Sequence, residues 1–483
     1  MGRMSNLVCM SKTYRPYNPN QEYLLSPSPR DWLREGHLAY FISDTIDAID
    51  LSEIEGVYEG NERGYPPYHP AMMTKVLVYA YCTGVFSSRK IERKLEEDVA
   101  FRVLGAENRP NFRTISDFRK IHLAALGGLF NKVLMLCKQA GMVRLGHVAL
   151  DGTKVKANAS KHKAMSYGRM KEESARLDSE IAKLLELAEQ TDEQEDMEFG
   201  RDKRGDELPA ELAFREGRVA RIKQAMADLE AEAKAEAAKI PVDSESSESV
   251  DKPVSKKSGR AKKNPCGVPD DKAQKNFTDP ESKIMKSADK SFIQGYNAQA
   301  AVDSDYQVIV ATMVTNKAAD SPHTEPVVEK IEQTLGRLPD EMSLDAGYYS
   351  ESNVKYLESK KIDVYMPPTR LKHREYRDAV AEPVDEDSSI KDRMKSKVLT
   401  DEGREKYGLR KETVEPVFGQ IKECRGFRRF SMRGLEKCES EWSLVCATHN
   451  LLKLFRHGAA ATLKQAQECI ESANATQFQD CAA

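Results

Sequence analysis

The stretch MVRLGHVALDGTKVKANAS constrains the fold of this 483-residue chain most strongly. Val143, Leu145, His147 and Ala149 alternate with Val148 and Leu150 into an almost continuous apolar run. That pattern suits a strand covered on both faces, which Asp151 and Gly152 are expected to end. A lone apolar strand has nothing to pair with. The next strand signals, FIQGYNAQAAVD and YQVIVATMVT, come only after a helical region from about Met170 to Ile240 and a polar stretch over 241–275. Both parts of the sheet must therefore share one domain, and what lies between them is an insertion. Loop-closure cost grows only logarithmically with length, so the fold tolerates it.

After those two strands the pattern alternates: a helix from about His323 to Leu335, the strand of EMSLDAGYYS, a short helix at ESNVKYLES and a strand in KIDVYMPP. Strands alternating with helices after an antiparallel pair predict an α/β sheet covered by helices. Within the insertion, Leu177, Ile181, Leu184 and Ala188, and then Val219, Ile222, Met226, Leu229 and Ala233, step by three and four. These short heptad seams predict an antiparallel helical hairpin over 166–240, with a coiled coil between subunits as the alternative. Residues 241–275 have almost nothing to bury and are expected to be a flexible linker, its Lys256–Lys263 run either touching phosphate or simply solvated.

The region before the first strand is helical. In HPAMMTKVLVYAYCTG, Pro70 suits a first turn and Gly84 a left-handed cap. SSRKIERKLEEDVAFRVLG carries Ile91, Leu95, Val99 and Val103 on one face and is closed by Gly105. In RTISDFRKIH, Thr114 and Asp117 have capping-box spacing, with Arg113, Arg119, Lys120 and His122 nearby. Short helices with basic outer positions fit a helix-turn-helix DNA reader, and equally a plain bundle with solvated charges.

Three acids stand out. Asp151 follows VAL and Asp345 follows MSL, where Ala346 and Gly347 leave space and Ser350 caps the next helix. A bare Asp after a strand is more often a turn or cap residue, but carboxyl ends of adjacent strands converge on one crevice. Glu415 lies in RKETVEPVFGQIKE, beside a buried face of Val414, Val417, Phe418 and Ile421. Lys411, Glu415, Gly419 and Lys422 form one stripe there. A surface Lys411–Glu415 pair is the bland reading, yet it leaves unexplained a helical glycine that costs about 1 kcal/mol relative to Ala. A glycine between Glu415 and Lys422 lets a bulky ligand approach. Three converging carboxylates need a cation, and Mg²⁺ takes carboxylate and water oxygens. Two such ions serve in-line phosphoryl transfer without a general-base histidine. The best-placed histidine, His147, is expected in the core.

Net charge first weighs against a nucleic-acid partner, with 74 Lys plus Arg against 77 Asp plus Glu. Its distribution does not. From Lys422 to Lys437, KECRGFRRFSMRGLEK holds six positive and two negative residues with Phe427, Phe430 and Met432 between them. That suits phosphate contact and base stacking through Arg428 and Arg429, a solvated basic loop being the alternative. Nine cysteines without a C-x-x-C pair predict reduced thiols in a cytoplasmic protein rather than a zinc site or disulfide scaffold. No apolar stretch nears the roughly 20 residues of a membrane span, and no signal peptide is expected.

LDGTKVKANAS, QGYNAQAAVD, SLDAGYYSESN and RKETVEPVFGQIK, in this order, resemble the motifs of DDE transposases of bacterial insertion sequences, the RNase H-like group with a Tyr, Arg, Glu, Lys signature. The resemblance spans roughly residues 15–457. It implies a helical DNA-binding domain over 15–142 and an RNase H-like catalytic domain, a mixed sheet flanked by helices, over 143–165 and 276–457, with a tail over 458–483. By the same resemblance Asp151, Asp345 and Glu415 are catalytic and ligate Mg²⁺ or Mn²⁺, with two ions expected. Lys422 matches the signature Lys. Tyr407 and Arg410 match the Tyr and Arg but lie one position early, since Lys411 stands where the signature places its Arg. With Arg428, Arg429, Arg119 and Lys120, these residues make up the expected DNA contacts. The implied reaction is cleavage of double-stranded DNA at terminal inverted repeats and joining of the freed 3'-hydroxyl to target DNA, by a homodimer or higher oligomer. A domesticated, non-cutting DNA-binding protein and a nuclease without strand transfer are the alternatives. The presence of all three carboxylates argues against the first.

Overall fold

A computed structural model describes residues 28–58, 66–199, 210–238, 267–287, 290–370, 379–381, 383, 385 and 388–457. The amino-terminal part is helical: α1 (Leu38–Ala48), α2 (Ser52–Glu55), α3 (Pro70–Cys82), α4 (Ser88–Glu97), α5 (Val99–Leu104), α6 (Phe112–Ile121) and α7 (Leu123–Gln139). Pro70 opens α3, and Gly84 follows it at φ +78°. A Cβ on Gly84 would lie 2.5 Å from the Arg425 carbonyl oxygen, so this position requires glycine twice over, for its backbone angle and for the close approach of another chain segment.

Two boundaries differ from expectation. The single helix predicted from Ser87 to Gly105 is broken at Asp98, whose carboxylate accepts the Ala100 N–H and starts α5. The helix α6 begins at Asn111, whose side-chain oxygen accepts the Thr114 N–H, so Thr114 sits inside the first turn rather than capping it. In both cases a short polar side chain satisfies orphan N–H groups at a position the apolar pattern does not mark.

The sheet joins β1 (His147–Lys156), β4 (Lys283–Lys286), β5 (Phe292–Asp303), β6 (Ile309–Thr315), β7 (Glu341–Leu344) and β8 (Asp363–Tyr365); a separate two-stranded sheet pairs β2 (Ala164–Ser166) with β3 (Gln274–Asn276). The strands β6, β5 and β1 are antiparallel neighbours, whereas β1, β7 and β8 are parallel. As the sequence requires, β1 and β5 lie side by side across the insertion, with Leu150 opposite Ala301. The insertion is the helix pair α8 (Tyr167–Phe199) and α9 (Ala210–Ala238). Its seam is antiparallel, since Tyr167 reaches Glu230 while Glu173 reaches Arg218 and Glu180 reaches Arg215. Leu177, Val219, Ile222 and Leu229 form its own small core.

Of the expected linker, the stretch with Lys256–Lys263 lies outside the described residues, as does the tail over 458–483. Its last residues are not linker: Lys275 in β3 is buried and paired with Asp228 and Glu232 of α9. Beyond the sheet follow α10 (Thr324–Leu335), α11 (Glu351–Ser359), α12 (Ile390–Leu399), α13 (Asp401–Gly419), a π-helical turn (Gln420–Cys424) and α14 (Leu435–Arg456). The helix α14 is the hub, packed on β6 on one side and on α7 and α3 on the other. One continuous hydrophobic cluster therefore joins the amino-terminal helices to the sheet. Among the described residues no single helix is long and apolar enough to cross a membrane, and Cys82, Cys137, Cys424, Cys438 and Cys446 are unbridged.

Candidate active site

The register of β1 against β7 sets the geometry of the acids. Leu150 pairs with Leu344 in parallel, and the next residue on each strand is an aspartate. Asp151 and Asp345 thus emerge side by side. The strand β1 does not end there, contrary to the sequence expectation: Asp151 pairs with Ala300 and Gly152 with Gln299, and pairing with β5 runs on to Lys156. Asp345 does stand where β7 stops, and Ser350 caps α11 by accepting the Asn353 N–H at 3.1 Å.

The helix α13 crosses this pair and brings Arg410 between the two carboxylates. Its Nη1 donates to Asp151 Oδ2 at 2.6 Å, and its Nη2 lies 3.8 Å from Asp345 Oδ1. The guanidinium is buried, and its Nε has no partner among the described residues. Tyr407, one turn earlier, lies under Arg410 and donates its hydroxyl to Asp345 Oδ1 at 3.5 Å. Burial pushes the Asp151 carboxyl up to about 6; Arg410 opposes the rise, and Asp345 and Asp320 add to it. Glu415 is exposed and lies on the wall of the same cavity of about 600 Å³, with Asp151, Asp345, Arg410 and Lys411. All three expected carboxylates therefore face one space. Among the described residues no three such side chains stand close enough to clasp an ion together.

The donor set still fits a hard divalent cation: among the described residues three carboxylates and no sulfur or imidazole line the cavity. Two of them already require a positive charge, which Arg410 supplies.

Other expected contacts are placed differently. A Cβ on Gly419 would meet nothing within 4 Å, so that position is open, and Lys422, in the π-helical turn, donates to the Lys154 carbonyl at 3.0 Å. Burial pulls the Lys422 pKa down. Arg119, expected among the DNA contacts, does not present its guanidinium at the surface. It is buried under the helices, donating to the Phe86 carbonyl at 2.9 Å and to the Tyr81 hydroxyl at 3.3 Å. Lys120 is exposed and paired with Asp117. Arg428 is exposed and paired with Glu423, and exposed Arg429 faces a different cavity. His147 is buried, as expected, and burial pulls its pKa down to about 4.

One polar cluster beside the site went unforeseen. Asp320 accepts from Asn297 at 2.6 Å, from Gln299 at 3.1 Å and from Lys154 at 3.1 Å, against Gly152 of β1. A Cβ on Gly152 would lie 2.5 Å from Gln299 Nε2, so the glycine after Asp151 makes room for this network. Asp320 precedes the 3-10 turn Ser321–His323, but its side chain caps nothing there.

The amino-terminal helices thus pack on a mixed sheet in which two aspartates stand side by side after the paired residues Leu150 and Leu344. Residues 27–121 match the family Transposase domain (DUF772), and residues 260–451 match the family Transposase DDE domain. The chain belongs to the insertion-sequence DDE transposases. The first carboxylate, Asp151, lies between the two matched regions, because the hairpin insertion separates β1 from the rest of the sheet. No curated protein and no solved structure matches the chain.

Proposed function

We propose that this transposase binds the inverted repeats at the ends of its element, cleaves the DNA there and joins the freed 3'-hydroxyl to target DNA, with Asp151, Asp345 and Glu415 as the catalytic acids of an RNase H-like domain. The observation that carries this reading is the shared register of Asp151 and Asp345 at Leu150–Leu344, with Glu415 on the wall of the same cavity. The strand order, antiparallel from β6 to β1 and parallel from β1 to β8, supports the RNase H-like assignment.

Asp151, Asp345 and Glu415 would hold Mg²⁺ or Mn²⁺. Such ions would supply Lewis-acid chemistry for an in-line phosphoryl transfer, at the attacking and the leaving oxygen. The protein's own part is positional. Asp151 stands in the middle of a paired strand, and its carboxylate accepts from Arg410 at 2.6 Å and from the Gly152 N–H at 2.7 Å. Arg410 offsets their mutual repulsion, and Tyr407 orients Asp345. Lys411 lines the cavity beside Glu415, where a scissile phosphate's neighbours would pass. Arg428 and Arg429 extend the contact along the backbone, and Lys120 with the exposed Arg89 and Arg113 offers one from the amino-terminal helices.

A labelled duplex carrying the DNA that borders the gene, incubated with the protein, Mg²⁺ and a supercoiled plasmid, tests the reaction. Cleavage at the element's end followed by label covalently joined to the plasmid is the expected result. Cleavage without joined product would make the protein a nuclease only.

A further inference from the structure

Past the carboxylates β1 runs on for five residues to Lys156, and there the structure holds a second cavity, of about 640 Å³. Lys156, Lys161, Lys163, Arg429 and Arg433 line it, and among the described residues no Asp or Glu does. All five are exposed, and none is in an ion pair with a described acid. The hairpin behaves in the opposite way, with Arg176, Arg215, Arg218 and Lys223 each matched to a carboxylate. The basic cavity is thus a local excess of uncompensated charge.

It is also built on fixed backbone. Lys156 donates its N–H to the Arg428 carbonyl at 3.2 Å and accepts from the Phe430 N–H at 2.9 Å, so the basic loop after α13 is bridged to the end of β1. Lys161 and Lys163 sit in a turn capped by Ser160, whose carbonyl accepts from Asn276 at 2.8 Å. Asn158 ties the two sides together by donating to the Ser431 carbonyl at 2.7 Å. On the rim Phe292 leaves 64% of its surface exposed. A large exposed ring beside cations suits sugar and base faces rather than a small inorganic anion.

We propose that this cavity is a second DNA-contact site, which takes the phosphodiester backbone of the DNA held at the carboxylates. The proposal rests on the reading of the chain as a DNA-cutting enzyme. Five converging cations repel one another until an anion joins them, and duplex DNA presents one charge per about 1.7 Å of axis. Five strand residues span about 17 Å, so one DNA segment reaches from the acids to the cavity.

The test is a Lys161→Ala, Lys163→Ala, Arg433→Ala triple variant of the full chain, compared with the parent on the gene-bordering duplex by fluorescence anisotropy over a salt series. The variant should bind at least tenfold more weakly at 0.1 M salt, and the slope of log K against log salt should fall by two to three, about one per lost phosphate contact. Its cleavage rate at saturating DNA should stay within twofold of the parent, which also shows that it folds. Unchanged affinity and slope overturn the proposal, as does inorganic phosphate binding at the cavity without any change in DNA binding. A parent protein that neither binds nor cuts the duplex instead overturns the functional reading itself.

Discussion

At the residue scale the site is governed by Asp151 and Arg410. The Asp151 carboxyl is held up near 6 chiefly by burial, so the folded chain binds that proton more tightly than the unfolded chain does. The stability this contributes is full below the unfolded pKa of about 3.9 and is lost as pH rises through about 6. Asp151→Asn removes the titration, so in metal-free urea unfolding the variant should gain on the parent by about 2 kcal/mol between pH 4 and pH 7. A gap that stays constant with pH would refute the shift. Arg410→Gln leaves two neighbouring carboxylates without their counter-charge and should cost about 2–3 kcal/mol without metal, with millimolar Mn²⁺ restoring much of the loss in thermal unfolding. Asp345 is legible in the sequence because it follows an apolar strand whose end can be counted; Asp151 is marked by a similar apolar run although its strand continues, and Glu415 by the helical stripe it shares with Lys411 and Gly419. Arg119 is misplaced by the same logic: charge pattern alone does not show that a guanidinium is buried against Phe86 and Tyr81. Asp320 is hidden for the converse reason, since its partners Asn297, Gln299 and Lys154 come from strands far apart in sequence.

Among the elements, β1, β5, β6, β7, β8 and the hairpin follow from periodicity; the short strands β2, β3 and β4 and the boundaries do not. Asp98 and Asn111 start helices through single side-chain caps that leave the apolar pattern unbroken. β1 passes through Asp151 and Gly152 because β5 continues to pair with it, a tertiary fact. The π turn after Gly419 adds a residue to the helical ladder, and within it Lys422 donates to the Lys154 carbonyl. The helix-to-loop joint at Gly84 offers a test. Gly84→Ala forces a left-handed alanine and drives its Cβ into the Arg425 carbonyl, so thermal unfolding should show a loss of about 2–4 kcal/mol. A loss under 0.5 kcal/mol would mean that the two segments do not meet.

For the molecule as a whole, the near-neutral charge count is a sum of unlike parts. In the hairpin Arg176, Arg215, Arg218 and Lys223 are each matched to a carboxylate, whereas among the described residues the cations around the second cavity are not in ion pairs. The amino-terminal helices and the sheet share one core through α14, and a buried acid joins them. Glu441 accepts from the Tyr81 hydroxyl at 3.0 Å and from the Ser431 N–H at 2.8 Å, tying α3 to the loop that carries Arg428 and Arg429. Glu441→Ala leaves these donors unpaired and should cost about 3 kcal/mol of stability in chemical denaturation. The sequence separates the two regions by composition, and only packing shows them joined. The central claim, that the paired aspartates cut DNA, is tested most directly by Asp345→Asn on the gene-bordering duplex with Mg²⁺. Cleavage should fall by at least about a thousandfold while DNA affinity stays within threefold of the parent; a variant that still cuts at the parental rate would contradict it.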